Sequence, residues 1–131
     1  MSWSEVFTAL LVCHLAGDFI LQTEWQALHK HGGLGADPER RRALLLHVTT
    51  YSIPMLGALA WVVVEQDLLR AILAGLIISG THVVQDDGRL LRRYVVRVKR
   101  TDPEFGSPLM IAIDQSFHVV WLFAAALVAA A

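Results

Sequence analysis

Four apolar stretches, near residues 3–22, 43–64, 68–87 and 108–131, take up most of this 131-residue chain. A helix needs about 20 residues to cross a hydrocarbon core about 30 Å thick. Each stretch therefore predicts one membrane span. The composition agrees, with 55% hydrophobic residues and a mean hydropathy of +0.50, too apolar for an ordinary soluble domain of this size. The expected fold is an all-α integral membrane protein, a four-helix transmembrane bundle forming one domain over residues 1–131. The first stretch is not a convincing cleavable signal: no basic residue precedes it, and His14 and Asp18 interrupt it. Cys13 is the single cysteine, so no intrachain disulfide can form.

Charge gives the orientation. Lys30 and Arg40–Arg42 fall in the first loop, and Arg89, Arg92, Arg93, Arg97, Lys99 and Arg100 in the third. Only Arg70 lies elsewhere, so ten of eleven basic residues share one side. The positive-inside rule makes that side cytoplasmic and sends both termini to the periplasm or exterior. Trp3, Trp25 and Trp61 sit near predicted interfaces, as aromatic belts do. The expected location is an inner (plasma) membrane.

Local signals set the helix ends. Helix one is expected over about Trp3–Trp25, followed by a flexible Gly-rich loop at His29–Ala36. Asp37-Pro38-Glu39 reads as a cap, a first-turn proline and an acidic first turn. Pro54 is a candidate kink. The Glu65-Gln66-Asp67 turn makes helices two and three antiparallel neighbours. Gly75, Ser79 and Gly80 offer small residues for close approach in lipid, and Gly88 offers a C-terminal cap. In Arg89–Arg100, Leu90, Leu91, Tyr94, Val95 and Val98 fit one helical face, with the Arg97–Arg100 end either helical or extended. This short amphipathic basic segment would lie on the cytoplasmic leaflet, with Arg92, Arg93 and Arg97 toward anionic head groups. A positive-inside anchor without lipid specificity is the plainer alternative. Ser107-Pro108 opens the last helix.

Ionisable groups recur inside these spans. His14 pairs with Asp18, His82 with Asp86, and Asp114 with His118, each at a spacing of four, while His47 stands alone. Residues four apart share a helix face. With a rise of about 1.5 Å per residue, all seven groups fall in the cytoplasmic half, most within about two turns of one level. Ionisable groups in spans are costly and by default mark a site. A lone helical histidine such as His47 is more often a buried hydrogen-bond partner, and one His/Asp pair can satisfy itself across helices for about 0.6 kcal/mol. Three pairs and His47 at one level favour a metal.

Imidazole and carboxylate together suit zinc first, then manganese or iron. His14, His47, His82, Asp86 and His118 are the candidate ligands, Asp18 and Asp114 the candidate general bases, and Gln22 and Gln115 supporting polar groups. His29 and His31 receive no role, and Asp87 is expected to face water.

The run His14-Leu15-Ala16-Gly17-Asp18-Phe19-Ile20-Leu21-Gln22-Thr23, then Leu46-His47 and Thr81-His82, and Asp114-Gln115-Ser116-Phe117-His118, resembles a bacterial membrane family. That family, domain of unknown function 3307, has an HLxGDFxLQ start and a DQxxH end. The resemblance spans nearly the whole chain. It implies a four-span membrane protein, in a bacterial inner membrane, with roles for His14, Asp18, Gln22, His47, His82, Asp114, Gln115 and His118, and it names no reaction. Val83-Val84-Gln85-Asp86-Asp87 follows His82 here, so Asp86 and Asp87 both stand as candidates in the third span.

Three functions fit these residues. A metal-dependent hydrolase would act on a lipid phosphoester or another amphiphile at the cytoplasmic face. A metal or proton carrier would use the same groups as a relay, although the outer halves of the spans lack polar groups. A non-catalytic subunit of a larger membrane complex, or a homo-oligomer, would use them for pairing or for a cofactor such as bis-His haem. No HExxH motif points to a zincin-type protease. The lipid bilayer is the expected partner and nucleic acid is not.

Overall fold

The computed structural model describes residues 1–131 and is all helical. The elements are α1 (Trp3–Leu15), a π-helical turn (Ala16–Ile20), α2 (Glu24–His29), α3 (Pro38–Glu65) and α4 (Leu68–Asp87). They continue with α5 (Arg89–Tyr94), a second π-helical turn (Val95–Lys99) and α6 (Pro108–Ala130). Four helical runs are long and apolar enough to cross a membrane: Trp3–Ile20, α3, α4 and α6.

Caps set most boundaries. Asp37 accepts from the backbone N–H of Glu39 and Arg40 ahead of Pro38, and Ser107 accepts from that of Met110 ahead of Pro108. Ser2 and Glu5 form a capping box on α1. Asp67 caps α4, and its carboxylate also pairs with Arg70. Gly88 ends α4 in the left-handed region at φ +76°, where a side chain would also strike Phe105 and His31. α3 runs unbroken through Pro54.

The first span ends earlier than the helix expected to run to about Trp25. Leu21 N–H bonds Ala16 O, five residues back, so the last turn is π-helical. The chain then breaks, and Thr23 starts α2 with a capping box completed by Gln26. Gly17 explains the close approach here, because a Cβ would lie 2.5 Å from Tyr51 Cδ2 on α3.

The spans form a square: α1 packs on α3 and α6, and α4 packs on α3 and α6. Away from the first and third loops, and beyond Tyr51 at its border, the interior holds twelve buried apolar residues, including Ala58, Ala71, Ala74, Ala125, Ala126 and Ala129. Small side chains let helices approach closely in lipid, where apolar burial between helices gains little. The predicted small-residue set differs: a Cβ on Gly80 would meet nothing within 4 Å, and only Gly75 lies close to a neighbour, Leu59. Leu56, Val64, Leu69, Leu76 and Val120 are exposed on the outside, as a lipid-facing surface requires.

The first loop folds across the end of α4. Gly32 N–H bonds Asp87 O at 2.7 Å, Leu34 N–H bonds Asp87 Oδ1 at 2.8 Å, and Gly33 lies against Leu44 and Arg40. This tether replaces the expected flexibility. It also buries Asp87, which Arg89 Nε reaches at 2.6 Å, instead of leaving it in water. The basic segment stays helical to Lys99. Leu91 and Val95 pack on Met110, with Tyr94, Phe105 and Phe117 around them, whereas Leu90 and Val98 are exposed. Arg93 and Arg97 are exposed and have no ion pair, but Arg92 is held by both oxygens of Asp102 at 2.7 Å. The pair is exposed, and the Nη1 side of the Arg92 fork stays open.

Candidate metal centre

The loop end of the bundle has a polar interior. His14, His47, His82 and His118 are all at most 3% exposed, and Asp18, Asp86 and Lys30 are buried with them. These seven residues come from six parts of the chain: His14 from α1, Asp18 from the π-turn, Lys30 from the end of α2, His47 from α3, His82 and Asp86 from α4, and His118 from α6. The π-turn moves Asp18 off the regular helical position, a common use of such turns.

Four residues converge on one point. His47 Nε2 lies 2.7 Å from Asp86 Oδ2, 3.2 Å from His82 Nε2 and 3.3 Å from Asp18 Oδ1. His82 Nε2 lies 3.0 Å from Asp86 Oδ2 and 3.8 Å from Asp18 Oδ1. In a tetrahedral site with bonds of about 2.0–2.1 Å, ligand atoms are about 3.3–3.4 Å apart. The five distances bracket that edge. None of the carboxylate contacts is directed as a hydrogen bond: Asp18 Oδ1 and both Asp86 oxygens accept none, although Asp86 Oδ1 has the Lys30 ammonium 3.0 Å away. A buried carboxylate oxygen left so is costly, and an ion between the four groups would satisfy it. The residues thus fit a divalent metal, with Asp18, His47, His82 and Asp86 able to hold it. His47 Nδ1 and His82 Nδ1, on the far side of each ring, are also without partners.

A second chain of contacts orients this set. Gln115 Nε2 donates to Asp18 Oδ2 at 3.1 Å, which requires its Oε1 to accept from His14 Nε2 at 2.8 Å. His14 Nδ1 must then accept from the Tyr51 hydroxyl at 3.2 Å. Both His14 nitrogens are therefore used, so His14 positions Asp18 through Gln115 and stands outside the convergent four. Asp18, expected as a base, lies among them. Hydrogen bonds of this kind commonly orient metal ligands. Tyr51 also stacks on His82 at 3.5 Å between ring centroids.

Asp86 faces two ways. Its Oδ1 lies 3.0 Å from Lys30 Nζ and 3.6 Å from His118 Nε2. Lys30 also donates to Gln22 Oε1 at 3.0 Å, which places Gln22 beside the centre. Asp114, with His118 and Asp86, forms a further group able to hold a metal. A cleft of about 410 Å³ reaches this region, lined by Asp18, Gln22, Lys30, Asp114 and Gln115 and by apolar residues such as Phe19 and Ile111. Phe19 and Ile111 are exposed on the bundle surface, so the cleft has one apolar rim.

Sequence reasoning missed Lys30 and Tyr51. Lys30 lies outside the spans, where a cation reads as an orientation signal. Tyr51 follows His47 by four residues and shares its face, a signal that was present. His29 bonds Trp25 O and lies outside the centre. No curated protein and no solved structure matches the chain. The model of one family, described as "Protein of unknown function (DUF3307)", matches residues 6–131, and the chain belongs to that family.

Proposed function

We propose that this membrane protein is a metal-dependent hydrolase whose substrate is an amphiphile with an anionic head, such as a lipid phosphoester. The observation that carries the reading is the convergence of Asp18, His47, His82 and Asp86, with buried carboxylate oxygens that accept no hydrogen bond. Charge supports it. Asp18, Asp86 and Asp114 face a single ammonium, Lys30, in and beside the polar layer. With neutral imidazoles, two negative charges remain, which one divalent ion balances. Zinc is the first candidate and manganese or iron the next, from the imidazole–carboxylate donor set.

When bound, such an ion supplies Lewis acidity toward water and toward a phosphoryl or carbonyl oxygen. The chain's own residues do the rest. Asp114 lines the cleft and is the candidate general base, since Asp18 is engaged in the centre. Lys30 lines the same cleft and offers positive charge to an anionic head. Phe19 and Ile111 offer apolar contact to a tail. The basic loops support a cytoplasmic face for this end, and there exposed Arg93 and Arg97 would gather anionic lipid. A carrier is a poorer reading, because the other end of the interior is wholly apolar.

The test is metal content of the protein purified in detergent, measured by mass spectrometry for wild type and His82→Ala. The expected result is at least one zinc, manganese or iron per wild-type chain, lost in the variant. Equal and negligible metal in both would leave protons on two imidazoles as the balancing charge and end the hydrolase reading. Release of phosphate from phosphatidic acid vesicles by the metal-loaded protein is the activity to seek. Metal without hydrolysis of any lipid phosphate would favour a subunit role.

A further inference from the structure

His118 carries a second clue. Its Nδ1 lies 2.9 Å from the carbonyl oxygen of Asp114. A carbonyl only accepts, so Nδ1 carries the hydrogen. In the neutral ring Nε2 then bears a lone pair. That lone pair has no partner, in a residue 3% exposed, and the charged atom facing it, at 3.6 Å, is Asp86 Oδ1. Oδ1 has the Lys30 ammonium at 3.0 Å on its other side and accepts no hydrogen bond. Two acceptors face each other inside the bundle, an arrangement that a cation between them resolves.

We propose that Asp86 is a bridging carboxylate and that the bundle holds a second, weaker divalent-cation site formed by Asp86, His118 and Asp114. This rests on the reading of Asp18, His47, His82 and Asp86 as the first site. Asp86 Oδ2 faces His47 and His82, whereas Oδ1 faces His118 and Lys30. One donor atom from each of Asp86, Asp114 and His118 lies within 4.8 Å of the other two. Asp114 opens onto the cleft, which gives an ion its way in. The mixed set of two carboxylates and one imidazole suits manganese.

Lys30 sets the affinity. Its ammonium, 3.0 Å from Oδ1, competes with an ion for the same oxygen. The second site therefore fills after the first and exchanges faster. Removing the ammonium strengthens it, because a like charge a few ångströms away is no longer present. Lys30 thus tunes the balance between one bound ion and two.

The experiment titrates manganese into the full chain in detergent and reads both ions bound per chain and the electron paramagnetic resonance spectrum. Two ions per wild-type chain are expected at saturation, with the broadened spectrum of coupled neighbours. His118→Ala and Asp114→Asn should each bind one ion with the spectrum of an isolated centre, and two variants guard against misfolding of either. Lys30→Met should bind two, with the weaker dissociation constant lowered roughly tenfold or more. One ion at saturation in both wild type and Lys30→Met overturns the second site and leaves the first standing. No ion in any protein overturns both.

Discussion

The two ends of this bundle are built from the same four helices and solve different problems. At the end holding the termini and the Glu65–Leu68 turn, the buried cluster beyond Tyr51 is apolar, and six of its twelve residues are alanines. At the loop end, four histidines, three aspartates, Gln26 and Lys30 are buried. Backbone approach through small residues already holds helices together in lipid. The polar end is therefore not needed for packing, and it leaves carboxylate and imidazole atoms unsatisfied. An interior that stabilises itself at one end and carries uncompensated donors at the other supports the proposal that those donors hold an ion.

The comparison breaks most visibly under chelation. A ligand bound only to the folded state adds about 4.1 kcal/mol at a thousand times its dissociation constant. A chelator should remove a stabilisation of that order from wild type, read as a lower unfolding midpoint in dodecyl sulfate. Ala74→Leu, in the apolar end where Ala74 is fully buried, should lower stability by about 1–3 kcal/mol through overpacking. It should keep the wild-type chelator response and the wild-type metal count. A chelator response that shrinks in Ala74→Leu would mean that the two ends are one cooperative unit.

What could be read from the sequence follows the same division. The spans, the Asp37 and Ser107 caps and the Gly88 stop were legible because hydropathy and capping act over a few residues. The convergence of His47, His82 and Asp86 was approachable because spacing and depth are helical quantities. What failed was the path of the chain between spans. Leu21 is apolar and hides the break after the π-turn, although Thr23 and Gln26 carried a readable capping box. That break swings α2 and Lys30 back over the polar layer. Helical spacing placed His14 on the right face, but only the Gln115 and Tyr51 contacts show that both its nitrogens are occupied. Asp87 looked solvated because nothing local announces that Gly32 and Leu34 will bond to it.

A smaller change probes how far the polar end depends on its orienting contacts. Tyr51→Phe keeps a ring to stack on His82 and removes the hydroxyl that donates to His14 Nδ1. The unpartnered acceptor should cost about 1–3 kcal/mol in stability. Loss of an orienting contact should also weaken metal binding about tenfold or more, measured by zinc competition with a coloured chelator. The number of ions bound should not change, because Tyr51 orients the centre without joining it. An affinity equal to wild type would show that Asp18 holds its place without the Tyr51–His14–Gln115 chain.

The least of the expected effects lies just outside the spans, at His31. Its ring stacks on Phe105 at 4.0 Å and 11°. Burial, and then the charge of Lys30, pushes its pKa down to about 4 from an ordinary 6.5, against opposing attraction from Asp86 and Asp87. The folded state therefore keeps His31 neutral where the unfolded chain would already protonate it. The unfolded state binds more protons between those values, so stability rises with pH across the window. The contribution is full above about pH 6.5 and is lost as the pH falls through about 4. His31→Gln should flatten this part of the profile of unfolding midpoint against pH, measured at fixed metal and salt as the difference from wild type. Other carboxylates and imidazoles at the loop end titrate in both proteins, so only the difference reports His31. Parallel profiles would mean that the His31–Phe105 contact opens before unfolding, and that Asp87, Arg40 and Arg41 hold the first loop without it.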